Sequence, residues 1–257
     1  MIRPKKHLGQ HFLKDKNIAK KIVDSLTLHN GYGNVLEIGP GKGILTRFLF
    51  EKINIKTWAM DIDSESIELL LSLFPEHRNY IIQGDCLKFE LVHLLGDKFG
   101  IIGNFPYNIS SQILFKVLET RDHVQEVVGM FQKEVADRLT SREGNKTYGK
   151  LTVLLNAFYD LEYLFTVNPG AFFPVPKVRS AVIRLKRNNT VKLECNEELF
   201  FRVVLQGFQN RRKMLRNALK TLNLPSHVME HSLMGKRAEQ LRVKDFVEIC
   251  LLAEGNG

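Results

Sequence analysis

Cysteine is scarce in this sequence. Cys86, Cys195 and Cys250 are the only three in 257 residues and lie far apart. They form neither a disulfide framework nor a paired zinc pattern, which suits a reducing compartment, the cytoplasm. The eight histidines are scattered, and His7 and His11 have no acidic or thiol neighbour, so no metal site is expected. No run of about 18 apolar residues is present, and no membrane-spanning helix is expected. The start, Met1-Ile2-Arg3-Pro4-Lys5-Lys6, lacks the apolar core of a signal peptide. Low-complexity segments and internal repeats are missing as well. What remains is 44% hydrophobic and 25% charged, an ordinary soluble composition with enough length for one large domain and a small one.

Acidic residues are missing from two particular places. Residues 1–21 carry seven Lys/Arg against the single Asp15. Residues 202–220 carry Arg202, Arg211, Arg212, Lys213, Arg216 and Lys220 with no acid at all. Each segment is therefore +6 within a chain of net charge +9, so the remainder sums to −3. Two basic patches on a near-neutral body suit a polyanion such as nucleic acid, although such runs also occur as plain solvated helix faces.

Short apolar runs alternate with helical periodicity through the middle of the chain. Strands are predicted over 34–38, 57–61, 80–83, 100–103, 126–132, 151–157 and 181–186, with helices such as 44–52 and 64–74 between them. This is the rhythm of an α/β fold with a doubly wound, mostly parallel sheet. The last two runs lack a clear helix between them and predict an antiparallel edge hairpin. After the polar break at Asn188-Asn189-Thr190 the pattern becomes helical, over 199–208, 213–222, 227–234 and 244–253. The expected division is a catalytic domain over 1–187, with a basic segment over 1–30, and a small helical RNA-binding domain over 188–257.

Two loops carry candidate chemistry. Glu37-Ile38-Gly39-Pro40-Gly41-Lys42-Gly43 lies between the first strand and its helix, where glycines permit a sharp turn and close approach of a ligand. Asp61 ends the second strand and is placed for ribose hydroxyls. Asp85 ends the third and can accept from an adenine amine. Glu37 can bind an ammonium. An ammonium, a ribose and an adenine, each met by a carboxylate, describe S-adenosylmethionine better than a dinucleotide, whose negative pyrophosphate the carboxylates disfavour. These acids can alternatively cap helices, Asp63 or Ser64 being the expected cap after the second strand.

The other loop is Gly103-Asn104-Phe105-Pro106-Tyr107-Asn108, at the end of an apolar run. The adenine amine is a poor nucleophile because its lone pair is delocalised into the ring. The Asn104 amide oxygen and a backbone carbonyl of the Phe105–Pro106 turn, taken as that of Pro106, can accept both N–H hydrogens. Pro106 fixes the loop backbone, and Tyr107 can stack on the base, a contact worth roughly 1–3 kcal/mol. The same residues also suit a plain strand-to-helix turn.

With both loops in view, the chain closely resembles the rRNA adenine N6,N6-dimethyltransferase family, which modifies two adjacent adenosines near the 3′ end of small-subunit (16S) rRNA. Five motifs carry the resemblance in order: Leu8-Gly9-Gln10-His11-Phe12-Leu13, the Glu37 to Gly43 loop, the stretch from Gly103 to Ser110, Gln132-Lys133-Glu134-Val135, and Phe172-Phe173-Pro174-Val175-Pro176-Lys177-Val178. It implies a Rossmann-like class I methyltransferase with a seven-stranded sheet, using S-adenosylmethionine and acting as a monomer on the small ribosomal subunit or its precursor. It further implies that His11 and Leu13 border the cofactor, with Gly39, Gly41, Asp61, Asp85 and Asn104 completing the pocket. Asn104, Phe105, Pro106 and Tyr107 would form the catalytic loop, and Phe172 would close the other face of a flipped base, Phe173 being the core member of that pair. The chain departs from the family at three places, with His at 11 where Asn is frequent, Phe at 105 where Leu is commoner, and Asp at 61 in place of Glu. Two other readings stay open: an erythromycin-resistance type methyltransferase of large-subunit rRNA, and a small-subunit assembly factor whose main work is binding.

Overall fold

The computed structural model describes residues 4, 5 and 9–255; Leu8 of the first motif and the basic residues Arg3 and Lys6 lie outside them. The chain divides into two compact units, Met1–Ala136 with Leu161–Arg187, and Asp137–Asp160 with Asn188–Gly257.

In the first unit, β1 (Phe12–Leu13) leads into α1 (Lys16–Asp24). Asp15 caps that helix by accepting from the Asn17 and Ile18 N–H groups at 2.9 and 3.1 Å, a bond set worth about 1 kcal/mol. There follow β2 (Asn34–Ile38), α2 (Ile44–Phe50), β3 (Lys56–Asp61), α3 (Ser64–Leu73), β4 (Ile81–Gln83), α4 (Leu91–Leu95), β5 (Phe99–Asn104), α5 (Ser110–Glu119) and β6 (Val124–Gln132). Then come α6 (Lys133–Leu139), α7 (Lys150–Asn156), β7 (Tyr159–Val167), β8 (Phe172–Phe173) and β9 (Ser180–Arg187).

Among the described residues the main sheet has seven strands in the order β4-β3-β2-β5-β6-β9-β7. The first five pair in parallel, and β9 runs antiparallel to β6. The chain builds outward from β2 through β3 to β4 and then crosses to β5 on the other side of β2. That reversal opens a crevice at the carboxyl ends of β2 and β5, where ligands bind in doubly wound sheets. One face of the sheet is sealed by α1 and α2, whose Ala19, Ile22, Val23, Leu45 and Leu49 pack with Val35, Ile102, Val128 and Val182.

Three expectations are corrected. The run 151–157 is helix α7, not a strand; Thr152, Val153, Leu154 and Leu155 are all buried, and a short apolar run buried on all sides carries no periodicity to tell helix from strand. The neighbour of β9 at the sheet edge is instead β7, a strand not predicted. The helical unit is also larger than expected, because it takes in residues 137–160: α7 packs on α8 (Glu197–Gln209) and α11 (Val243–Ala253). Between those two lie α9 (Leu215–Ala218) and α10 (Ser226–Glu230). The helix expected over 213–222 is shortened at its start because Met214 is extended in an antiparallel bridge with Arg237. Cys195 and Cys250, remote in sequence, hydrogen-bond to each other in this unit, and burial pushes both thiols up.

Candidate active site

The two motif loops meet at the crevice. A cavity of about 300 Å³ is lined by the glycine loop, the ends of β3 and β4, the loop after β5, and the segment before β1. Gly39 and Gly41 have φ of 70° and 55°, the left-handed region that glycine adopts without strain. The turn they allow points the Gly41 N–H at Asp61 Oδ2, 3.2 Å away.

Asp61 accepts the Asp63 N–H at its other oxygen, at 3.0 Å. Burial pushes its carboxyl up, against the backbone N–H donors of Asp63, Gly41 and Ile62. Asp63 caps α3, as expected, by accepting from the Glu65 N–H. It also ties down the N-terminal segment: Lys5 Nζ donates to Oδ1 at 2.6 Å and Gln10 Nε2 to Oδ2 at 3.1 Å. Burial alone would raise the Asp63 carboxyl, but Lys5 and Gln10 hold it below the usual range. The segment before β1 is thereby strapped beside Asp61. Sequence reasoning missed this strap and also missed Ile62, 55% exposed in the cavity wall directly after Asp61. An apolar residue left uncovered between two acids was the available signal.

Asp85 lines the same cavity and accepts the Leu87 N–H at 3.1 Å. Glu37 and Leu13 do not reach it. Both line a small pocket of about 20 Å³ that shares Phe12, Gly39, Gly41 and Asn104 with the cavity. Leu13 is otherwise a core residue. Glu37 is buried, accepts from Thr46 Oγ1 at 2.6 Å, and burial pushes its carboxyl up to about 8.

At the end of β5, the Asn104 Nδ2 donates to the His11 carbonyl at 2.8 Å. That bond fixes the amide and leaves Oδ1 as its remaining acceptor. Phe105 anchors the loop from below. Its ring is buried beside the cross-strand pair Gly103 and Gly129 and meets Phe131 edge-on at 5.2 Å. A Cβ on Gly129 would lie 2.4 Å from the Phe105 ring. The Pro106 carbonyl accepts the Ile109 N–H at 3.2 Å and so closes the turn into α5, which leaves its oxygen one further lone pair. Tyr107 hydrogen-bonds Ser180 Oγ at 2.7 Å, and burial raises its phenol. The His11 ring lies 5.4 Å from the Tyr107 ring at 30° and bonds the Pro174 carbonyl through Nδ1 at 2.9 Å. A carbonyl only accepts, so Nδ1 carries the proton. His11 therefore lies against Tyr107 as well as bordering the cavity.

Phe172 is a correction. It is wholly buried in the core with Leu13, Met130 and Val182, so it cannot close a face of a base. In the antiparallel pair β1–β8, Leu13 opposes Phe172 and Phe12 opposes Phe173. Alternation along the strand sends one phenylalanine inward and the other out, and the outward one is Phe173, 56% exposed.

Among the described residues, the cavity wall holds two carboxylates and no lysine or arginine. That donor set fits a cationic adenosine derivative and not a pyrophosphate, in keeping with S-adenosylmethionine. In the second unit, Arg212, Lys213, Arg216 and Lys220 are exposed, while Arg211 pairs with Glu239 at 2.7 Å. No described helix is long and apolar enough to cross a membrane.

Comparison with known proteins agrees with this chemistry. Residues 1–254 match the ribosomal RNA adenine dimethylase family. The chain is 56% identical to the ribosomal RNA small subunit methyltransferase A of Cytophaga hutchinsonii, over 99% of this chain and 98% of the relative. Its identity to the protein of that name from Flavobacterium johnsoniae is 52%, over 100% and 98%. Among solved structures it is similar to a dimethyladenosine transferase from Plasmodium falciparum, with TM-score 0.80 and 29% identity over 96% of this chain and 98% of that one. The 23S rRNA methyltransferase ErmE follows with TM-score 0.68 and 26% identity over 93% and 99%. A cavity built for a cationic adenosine cofactor, beside an asparagine loop built for an amine, thus lies in a chain that belongs to the ribosomal RNA adenine dimethylase family, the S-adenosylmethionine-dependent methyltransferases that dimethylate adenine in ribosomal RNA.

Proposed function

We propose that this enzyme acts in the cytoplasm as a monomer on the small ribosomal subunit or its precursor, dimethylating N6 of two adjacent adenosines near the 3′ end of 16S rRNA. The observation that carries the site assignment is the Asn104 Nδ2 bond to the His11 carbonyl, which leaves Oδ1 as the acceptor for one amine hydrogen. The second acceptor is a backbone carbonyl of the Phe105–Pro106 turn, that of Pro106 keeping a lone pair beside its bond to Ile109. Together they draw the amine nitrogen toward tetrahedral geometry, and Tyr107 stacks on the ring. Asp61 takes the ribose hydroxyls and Asp85 the cofactor's adenine amine, while Glu37 reaches its ammonium only through the small pocket that shares Phe12, Gly39, Gly41 and Asn104 with the cavity. Bound S-adenosylmethionine supplies an electrophilic methyl group on a sulfonium. The part played by the protein is positioning and fixed dipoles, with no covalent intermediate.

The test is methyl transfer from labelled S-adenosylmethionine to purified small subunits lacking adenine dimethylation, with large subunits in parallel and nucleosides identified by mass spectrometry. Dimethyladenosine only in the small-subunit reaction is expected. Label in large-subunit RNA instead would assign the chain to the resistance type, and tight subunit binding without label to an assembly role.

The buried Glu37 gives cofactor binding a pH dependence. Its carboxyl is mostly protonated at pH 7 in the free protein, whereas a bound ammonium favours the ionised form. Affinity for S-adenosylmethionine should therefore rise with pH until about 8, the value to which burial pushes this group, and flatten above it. Titration calorimetry in buffers of different ionisation enthalpy should show proton release on binding, and Glu37→Gln should abolish it.

The exposed cations of the second unit are proposed to hold rRNA phosphates. Replacing Arg212, Lys213 and Arg216 together by alanine should weaken subunit binding at every sequence context and lower the slope of log K against log salt by about 2–3. An unchanged slope would remove this segment from the RNA interface.

A further inference from the structure

The turn between β8 and β9 presents an apolar surface that the site described above does not use. Phe173, Val175 and Val178 are 56%, 61% and 45% exposed, and Lys177 and Arg179 beside them are exposed too. Residues 168–187 contain five lysines and arginines and no acid. Lys42, from the glycine loop, places Nζ 4.9 Å from the Phe12 ring and 5.8 Å from the Phe173 ring. An uncovered aromatic face with cations at its rim matches what single-stranded nucleic acid requires, a platform for a base and charge for its phosphate.

The position of this platform is fixed relative to the reacting centre. β8 is pinned by its pairing with β1, and the Pro174 carbonyl accepts from His11, whose ring lies against Tyr107. Phe173 is not part of the cavity wall; its ring is turned toward Lys42 instead. It therefore does not clamp the base being methylated.

We propose that Phe173 is the stacking site for an unpaired nucleotide flanking the target adenosine, with Lys42 near that nucleotide's phosphate. This rests on the reading of rRNA as substrate and adds a subsite to it. Holding the neighbouring base on a rigid ring keeps the strand open while the target base occupies the cavity. An aliphatic side chain supplies area at this place but no π face.

The test is steady-state methylation of small subunits by Phe173→Ala, Phe173→Leu and Phe173→Trp. The alanine and leucine variants should raise KM for subunits about tenfold, the fold-change that loss of one stacked base gives. KM for S-adenosylmethionine should be unchanged, and tryptophan should restore the wild-type KM. Because Phe173 is exposed, folding is not at stake, and thermal melting checks this. Wild-type KM for subunits in the alanine variant would overturn the proposal, as would leucine performing as well as tryptophan. An inactive wild type would instead strike the substrate reading, so the two failures are distinguishable.

Discussion

Asn104→Ala should lower single-turnover methyl transfer by about a hundred- to a thousandfold while leaving affinity for small subunits nearly unchanged. The substitution removes the amide acceptor and also the donor that Asn104 gives to the His11 carbonyl. The amine then keeps only one fixed acceptor, and the segment carrying His11 loses its bond to the catalytic loop. Asn104→Asp separates the two effects. It retains an acceptor but sets a carboxylate against the His11 carbonyl, so it too should be impaired, through displacement rather than through loss of an oxygen. Full activity in Asn104→Ala would sink the assignment of this loop.

The second large effect concerns what lies beneath that loop. Phe105→Ala should reduce unfolding stability by about 3–5 kcal/mol, because it empties a fully enclosed aromatic site. Phe105→Leu, the commoner residue in the family, should cost under about 1.5 kcal/mol. Gly129→Ala tests the same contact from the other side. Its Cβ would meet the Phe105 ring at 2.4 Å and Phe131 at 2.6 Å. Both rings are buried, so neither can swing into solvent. Overpacking of this kind costs about 1–3 kcal/mol, and the loop above should shift with the ring. Denaturant unfolding and methyl transfer on the same variants are the measurements. Gly129→Ala combined with Phe105→Leu should recover part of both losses, and an additive double variant would show that the two sites do not touch.

The parallel half of the sheet was legible because each of β2 to β5 is a short apolar run closed by glycine, aspartate or asparagine. Strand β2 begins and ends where its hydrophobic pattern does. Strand β7 was not legible. Its sequence, Tyr-Asp-Leu-Glu-Tyr-Leu-Phe-Thr-Val, mixes polar with apolar residues, and most of its interior positions are partly or wholly exposed. The neighbouring run that forms α7 offered a stronger apolar signal for the wrong element. In the site, the acids and the asparagine loop could be read because few other residues do that chemistry at strand ends. That Phe172 is the buried residue of the pair and Phe173 the exposed one could not, since two adjacent identical residues differ only in which face of a two-residue strand each takes. The His11 contact with Tyr107 and the Lys5–Asp63–Gln10 strap were equally hidden, since they join positions that only the fold makes neighbours.

The helical unit is assembled from two separate stretches of chain, with α7 contributed by residues that precede the last strands of the sheet. This constrains how the protein can be recombined. A truncation after Arg187 would strip α7 of the helices that cover Val153, Leu154 and Leu155, leaving an uncovered apolar surface that invites aggregation. A fragment over 188–257 would lack the same helix from its own core. Exchanging this unit between relatives therefore calls for a two-segment graft, with junctions near residues 136, 160 and 187, and a single-crossover chimaera should fail to fold even when both parents are stable.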